Sequence, residues 1–181
     1  MPRILPLDAE ATPPETKISY NQHKAIYNAR ITNMKATLGH SYNAFQAYMQ
    51  WYPLYEDVKA IVGKRLAPIF AGSISEAAEC PLCSTYFRKA IIESGEDPES
   101  LQLTEQDQQL LNFGAAIAAN KGFVPDETFA PIRVRYSDRD IVVLTAFAGI
   151  MIATNIFNNV VETQIDDYLH PFLSQKAAAK V

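Results

Sequence analysis

The stretch Ser137-Asp138-Arg139-Asp140-Ile141-Val142-Val143-Leu144-Thr145-Ala146-Phe147-Ala148-Gly149-Ile150-Met151-Ile152-Ala153-Thr154-Asn155-Ile156-Phe157-Asn158-Asn159-Val160-Val161 decides the fold class. Ser137 with Asp140 three residues on reads as a capping box, with Asp in place of Glu or Gln, so a helix opens here. From Ile141 to Val161 runs a charge-free segment of 21 positions, about the length that spans a bilayer. Thr145, Thr154, Asn155, Asn158 and Asn159 interrupt it, and Ala146, Ala148, Gly149 and Ala153 suit close packing against other helices. The segment is expected to be a buried central helix of a globular protein, with no membrane partner.

Helices are expected on its N-terminal side as well. Thr104 caps one carrying Leu110, Leu111, Gly114, Ile117 and Ala118, ending near Gly122 and followed by a short segment from Pro125 to Ile132. Pro81 fits the first position of another, with Leu82, Tyr86, Ala90 and Ile91 inward until Gly95 and Asp97-Pro98 end it. Leu66, Ile69, Phe70, Ser73, Ile74 and Ala77 share one helical face, with Pro68 tolerated in the first turn. A less regular stretch is expected around Val58, Ile61 and Val62. Ser41 caps a helix that Pro53 should stop, and Tyr27, Ile31, Met34 and Leu38 predict one helix closed by a left-handed Gly39. No strand-period pattern exceeds Ile132 to Tyr136, so the expected class is all-α. The organisation read here is a Pro-rich extended arm over 1–16, one helical domain over 17–173 and a tail over 174–181.

The chain has 181 residues and a net charge of -4, with Lys+Arg 16 against Asp+Glu 20. It is long enough for one sizeable core. No cluster of basic residues stands out, which argues against a nucleic-acid partner and against an anionic membrane surface. Residues 1–15 hold no apolar run of signal-peptide length, and two cysteines are too few for a disulfide scaffold, so a cytoplasmic location is expected.

Those cysteines form Cys80-Pro81-Leu82-Cys83. At a helix start Cys80 takes the N-cap and Cys83 the third helical position, which puts both sulfurs near the partially positive helix end. Unpaired N–H groups there stabilise a thiolate, the reactive form of a thiol. Glu76 and Glu79 oppose this as acidic neighbours. Buried cysteines also serve as small hydrophobes. Zinc would need four ligands, and the three histidines, His23, His40 and His170, are scattered, so neither a metal nor any other cofactor is expected beyond the Cys80/Cys83 pair itself.

From about His40 to Tyr168 the chain resembles the carboxymuconolactone decarboxylase superfamily, within it the alkylhydroperoxidase D (AhpD)-like branch. The resemblance lies in the order of Lys64-Arg65-Leu66, Cys80-Pro81-Leu82-Cys83, Leu103-Thr104-Glu105, Phe129 to Ile132, Ser137 to Thr145, and Asn155 to Asn159. It implies an AhpD-like helical bundle assembled into a homo-oligomer, a dimer, trimer or hexamer. It also implies reduction of hydroperoxides, or electron transfer from a dithiol reductant to a peroxiredoxin partner, by the Cys-x-x-Cys pair. By the same resemblance Cys83 matches the peroxide-attacking cysteine and Cys80 its resolving partner, whereas thioredoxin-like geometry would make Cys80 the attacker.

Where the family pattern places the histidine and glutamate of a proton relay, this chain has Phe87 and Pro68. Glu76, Glu79, Tyr86 and His40 are the candidates to replace them. The arginine usual in the last long helix is also missing from Asn155 to Asn159, which disfavours anionic substrates. The three asparagines there are expected to be satisfied between helices or subunits, with a pocket lining as the other role. Two further functions fit the resemblance: a decarboxylase-like lyase working without thiols, and a non-catalytic member that kept the fold and lost the relay.

Overall fold

The computed structural model describes residues 1–179; the last two residues of the expected tail lie outside them. Ten α-helices and one 3₁₀ turn follow one another, with no strand among the described residues. They are α1 (Pro14–Tyr27), α2 (Asn33–Leu38), α3 (Tyr42–Met49), α4 (Trp51–Val62), α5 (Leu66–Ala77), α6 (Pro81–Glu93), α7 (Glu105–Ala119), α8 (Asp126–Arg135), α9 (Asp138–Val161), the 3₁₀ turn Asp167–Phe172, and α10 (Gln175–Ala178).

The later helices begin where local chemistry places them. The Thr104 hydroxyl accepts from the Asp107 N–H at 3.1 Å while Asp107 accepts from the Thr104 N–H at 3.0 Å, a closed capping box. Ser137 and Asp140 repeat it at 3.2 and 3.4 Å. Pro81 opens α6, and Gly95, at φ +91, makes the turn after it. The segment after Gly122 is a full helix, α8, not a short connection.

Four expectations fail in the N-terminal third. The apolar run from Tyr27 to Leu38 is broken: Asn28 adopts a left-handed conformation and α2 restarts at Asn33, capped by Thr32. Gly39 lies in the right-handed region, so its requirement is space: a Cβ there would come within 1.7 Å of the Tyr20 hydroxyl oxygen. Pro53 sits in the first turn of α4, where its missing N–H costs nothing, so the irregular stretch expected around Val58 is helix. The arm ends at Pro13, because Pro14 serves as the first residue of α1. It folds back on its own chain: the Arg3 N–H donates to the Val161 carbonyl at 2.9 Å and the Leu7 N–H to Ala36 at 3.3 Å.

The main core gathers Val58, Phe70, Ile74, Leu110, Phe113, Leu144, Phe147 and Met151 from α4, α5, α7 and α9. Helices α5 and α7 approach closely at Gly114, where a Cβ would lie 2.6 Å from the Phe70 ring. A smaller cluster of Tyr20, Leu38, Phe45 and Met49 holds α1–α3 together. Helix α9 is long and apolar enough by composition to cross a membrane, yet it packs against α4, α5 and α7. Only one of its faces is buried, a correction to the expected central helix: Val142, Ile156 and Val160 on the other are more than half exposed.

Candidate active site

The break between α5 and α6 is tight. Glu79 takes φ +53, and the Cys80 N–H returns to the Ser75 carbonyl at 3.1 Å, so the chain reverses and presents Cys80 as the N-cap of α6. Cys80 Sγ accepts from the Cys83 N–H at 3.3 Å, and the Cys83 thiol lies 2.7 Å from it, sulfur to sulfur. Both cysteines are free and almost wholly buried.

Their environments push them apart. The hydrogen bond from Cys83 and the N–H groups of Cys83 and Leu82 hold the Cys80 pKa below that of an ordinary thiol, against the cost of burial. Burial raises Cys83 well above it, and the neighbouring Cys80 charge raises it further. Of the two thiols Cys80 is thus the one that ionises first, with Cys83 holding its proton longer. Asn158, on α9, donates from Nδ2 to Cys83 Sγ at 3.3 Å.

Cys83 lines a cavity of about 350 Å³ between the two clusters, and Cys80 does not. Its walls include Tyr27, Tyr48, Trp51, Tyr52, Tyr86, Phe87, Met151 and Tyr168. Trp51 is held by its indole N–H donating to Met151 Sδ at 2.9 Å and by stacking on Tyr55 at 4.5 Å. Arg30, Lys35 and Lys89 also line the cavity, with Asp166 as its one carboxylate. The lack of an arginine from Asn155 to Asn159 therefore does not leave the site without cations: they come from the α1–α2 connection, α2 and α6. Cys80 backs instead onto a cleft shared with Glu79, Pro81, Asn159 and Glu162.

The structure separates the candidate relay residues. Tyr86 lines the Cys83 cavity, its hydroxyl pKa raised by burial and by Glu93. Glu76 and Glu79 lie on the Cys80 side; Glu76 is exposed and 3.7 Å from Lys176. His40 is far from the chemistry in function: it lines none of these cavities and its Nε2 bonds the Leu5 carbonyl at 3.0 Å, tying down the arm. Phe87, at the position of the family's relay histidine, is buried in the cavity wall.

Sequence reasoning missed Asn158 as the partner of Cys83, although its presence in an apolar helix was the signal that could have found it. Of the three asparagines, Asn159 donates to the Ala78 carbonyl at 3.4 Å, while the wholly buried Asn155 amide has no partner among the described residues. Lys35, buried beside this cavity, went unremarked because nothing near it in sequence marks it. No group of three or more metal-ligating side chains occurs among the described residues.

The sequence matches no protein-family model and no curated protein. Solved structures do match. A cysteine-to-alanine variant of the debrominase Bmp8 in complex with 2,3,4-tribromopyrrole superposes with a TM-score of 0.76 at 17% identity, covering 93% of this chain and 94% of that one. An uncharacterized peroxidase-related protein from Silicibacter sp. TM1040 gives 0.70 at 17%, over 92% and 94% of the two chains. The alkylhydroperoxidase AhpD core of a peroxidase-related protein from Ralstonia eutropha JMP134 gives 0.69 at 13%, over 93% and 94%. At these identities the likeness speaks for architecture alone: this chain has the all-helical AhpD-like fold, as its resemblance implied.

Proposed function

We propose that the protein is a thiol oxidoreductase in which Cys80 and Cys83 cycle between dithiol and disulfide. The observation that carries this reading is the sulfur pair, 2.7 Å apart at a helix N-terminus, with one member facing an aromatic cavity. Cys83 attacks the electrophile in that cavity. Its proton passes to the Cys80 thiolate beside it, which stands in for the missing histidine as the base. With a hydroperoxide, Cys83 takes the terminal oxygen as a sulfenic acid and an alcohol leaves; Cys80 then displaces water, so ROOH and two thiols give ROH, water and one disulfide. A dithiol reductant, or a peroxiredoxin exchanging disulfides with this one, closes the cycle. The reading belongs to a reducing, cytoplasmic setting.

A second reading is favoured by the cavity wall of five tyrosines, Trp51 and Phe87, and by the named activity of the Bmp8 neighbour. In it the electrophile is the halogen of an aromatic ring: Ar–Br and two thiols give Ar–H, bromide, a proton and the disulfide.

The reading also carries self-assembly, for which the exposed Val142, Ile156 and Val160 of α9 are the apolar surface. Ile156→Glu is expected to lower the oligomer mass measured by light scattering; an unchanged mass would clear α9 of that role.

The test counts alkylatable thiols by intact mass after reduced protein meets cumene hydroperoxide or a brominated phenol, with bromide release followed in the second case. Rapid loss of both thiols as one intramolecular disulfide supports the function, and the faster oxidant chooses between the readings. Two untouched thiols in both arms remove it and leave the lyase or the non-catalytic module, which Cys80→Ser separates, since lyase activity would survive it.

A further inference from the structure

The cavity's polar groups describe a ligand more closely than its sulfur does. Lys35 is a buried lysine, about 5% exposed, on the short helix α2. Its Nζ donates to the Tyr52 hydroxyl at 2.7 Å and to the Arg30 carbonyl at 2.8 Å, and among the described residues no carboxylate lies within ion-pair distance, Asp166 acting on it from further away. An ammonium taken out of water without a paired anion is costly, so its placement on a cavity calls for a use. Because the Tyr52 oxygen accepts from Lys35, its own proton is free to be donated elsewhere. The Tyr27 ring lies 4.5 Å from that of Tyr52, centroid to centroid. The Arg30 guanidinium is stacked 4.2 Å above the centre of the Tyr168 ring, which fixes its position.

Opposed to these donors is Asp166, which accepts from the Asn33 N–H at 3.0 Å. Lys89 is matched by Glu93 on its own helix. Lys35 and Arg30 against Asp166 leave the cavity one positive charge in excess, in a chain whose net charge is -4.

We infer that this cavity binds a planar aromatic ring in its anionic form, a phenolate-type ligand, with the negative atom taken by Lys35, Arg30 and the Tyr52 hydroxyl and the ring held on the aromatic wall beside Cys83. The walls suit a ring better than an alkyl chain, since they are themselves rings held in place, Trp51 edge-to-face with Tyr52 at 4.9 Å and tilted against Phe87 at 6.4 Å, and aromatic pairs gain beyond their buried area. The inference rests on the proposed thiol function only for what then happens to the ring. It also places the anion-binding groups on α2, on the α1–α2 connection and on α4, apart from α6, whose start carries the sulfurs.

4-Nitrophenol tests it, because the visible absorbance of its anion reports its ionisation. Titrating the full-length protein into the dye near its midpoint should raise that absorbance saturably, with the anion bound about tenfold tighter than the neutral form and the dye's midpoint lowered by about one pH unit at saturation. Lys35→Met should abolish the shift. Arg30→Gln, a change at an exposed position that also gives up the stack on Tyr168, should weaken anion binding by about threefold. Saturable binding without a rise in absorbance, no saturable binding, or a shift that survives in both variants would overturn the inference. The thiol count above is independent: anion binding with inert thiols would sink the thiol function alone, and cycling thiols with no anion binding would sink this inference alone.

Discussion

The bundle of α4–α9 and the layer of α1–α3 are built on different terms. The bundle sets a large apolar core, with Phe70, Phe113, Phe147, Leu110 and Leu144 at most 2% exposed, around a few uncharged buried polar side chains, Ser75, Ser84, Thr85, Asn155 and Asn158. The layer buries Thr16, Ser19, His23, Lys35 and Thr37 around only four large apolar side chains. The bundle carries the sulfurs and supplies rigidity; the layer supplies the cations Lys35 and Arg30 and part of the cavity wall. A close-packed apolar core holds the reacting atoms in place, whereas buried polar groups cost stability and persist where their chemistry is used.

The largest expected effect lies on the bundle side. Cys83→Ser should lower the rate of peroxide-driven disulfide formation by on the order of a thousandfold or more, as loss of a nucleophile does. Cys80→Ser should leave Cys83 able to reach a sulfenic acid only slowly, trappable with dimedone, because its proton acceptor is gone. A Cys80→Ser variant that forms sulfenic acid at the wild-type rate would assign the base elsewhere.

Phe70→Ala in the bundle is expected to cost about 3–5 kcal/mol in a denaturant titration. Phe45→Ala in the layer, where the neighbours are rings and polar groups that close over less apolar surface, should cost the low end of that range or less and leave the helical signal of the bundle intact. Equal costs would mean the two clusters unfold as one core.

Acid should separate the regions further. His23 is buried among Tyr27, Phe45 and Tyr52, with neither ring nitrogen hydrogen-bonded among the described residues. Burial, and then the Lys35 charge, lower its pKa from 6.5 to about 4. The unfolded chain therefore takes up a proton below pH 6.5 that the folded layer refuses until about pH 4. Stability falls across that window, by about 2 kcal/mol at pH 5. Hydrogen exchange at pH 5 and pH 7 should show α1–α3 opening in acid while α5, α7 and α9 stay protected, and His23→Phe should remove the difference.

The smallest effect expected is at Asn158. Asn158→Leu removes the donor to Cys83 Sγ and should slow disulfide formation about tenfold, with little change in the pH at which the first thiol ionises, since that charge sits on Cys80. A large shift in that midpoint would place the first thiolate on Cys83.

The same contrast governs what was legible. In the bundle the helix starts at Pro81, Thr104 and Ser137 were placed correctly because each is made by groups within one turn. In the layer, periodicity ran through the break after Tyr27, since Ile31, Met34 and Leu38 keep helical spacing while serving a connection and a second helix. Pro53 was misread because a proline stops a helix or begins one according to where the previous helix ends. Of the site, Cys80, Cys83 and Tyr86 were named from sequence; His40 and the exposed Glu76 were not brought to the Cys83 cavity.

From its residues alone the chain determined an all-helical fold, its later caps and the placing of two sulfurs at one helix start, because these depend on contacts three or four residues apart. Only the tertiary structure decided that Cys83 rather than Cys80 faces the cavity, that Asn158 reaches it from 75 positions away, and that Lys35 and Arg30 supply the cations that the segment Asn155 to Asn159 lacks. Those facts depend on how one helix layer seats against another, and side-chain chemistry converging from distant segments leaves no period or spacing in the sequence to be read.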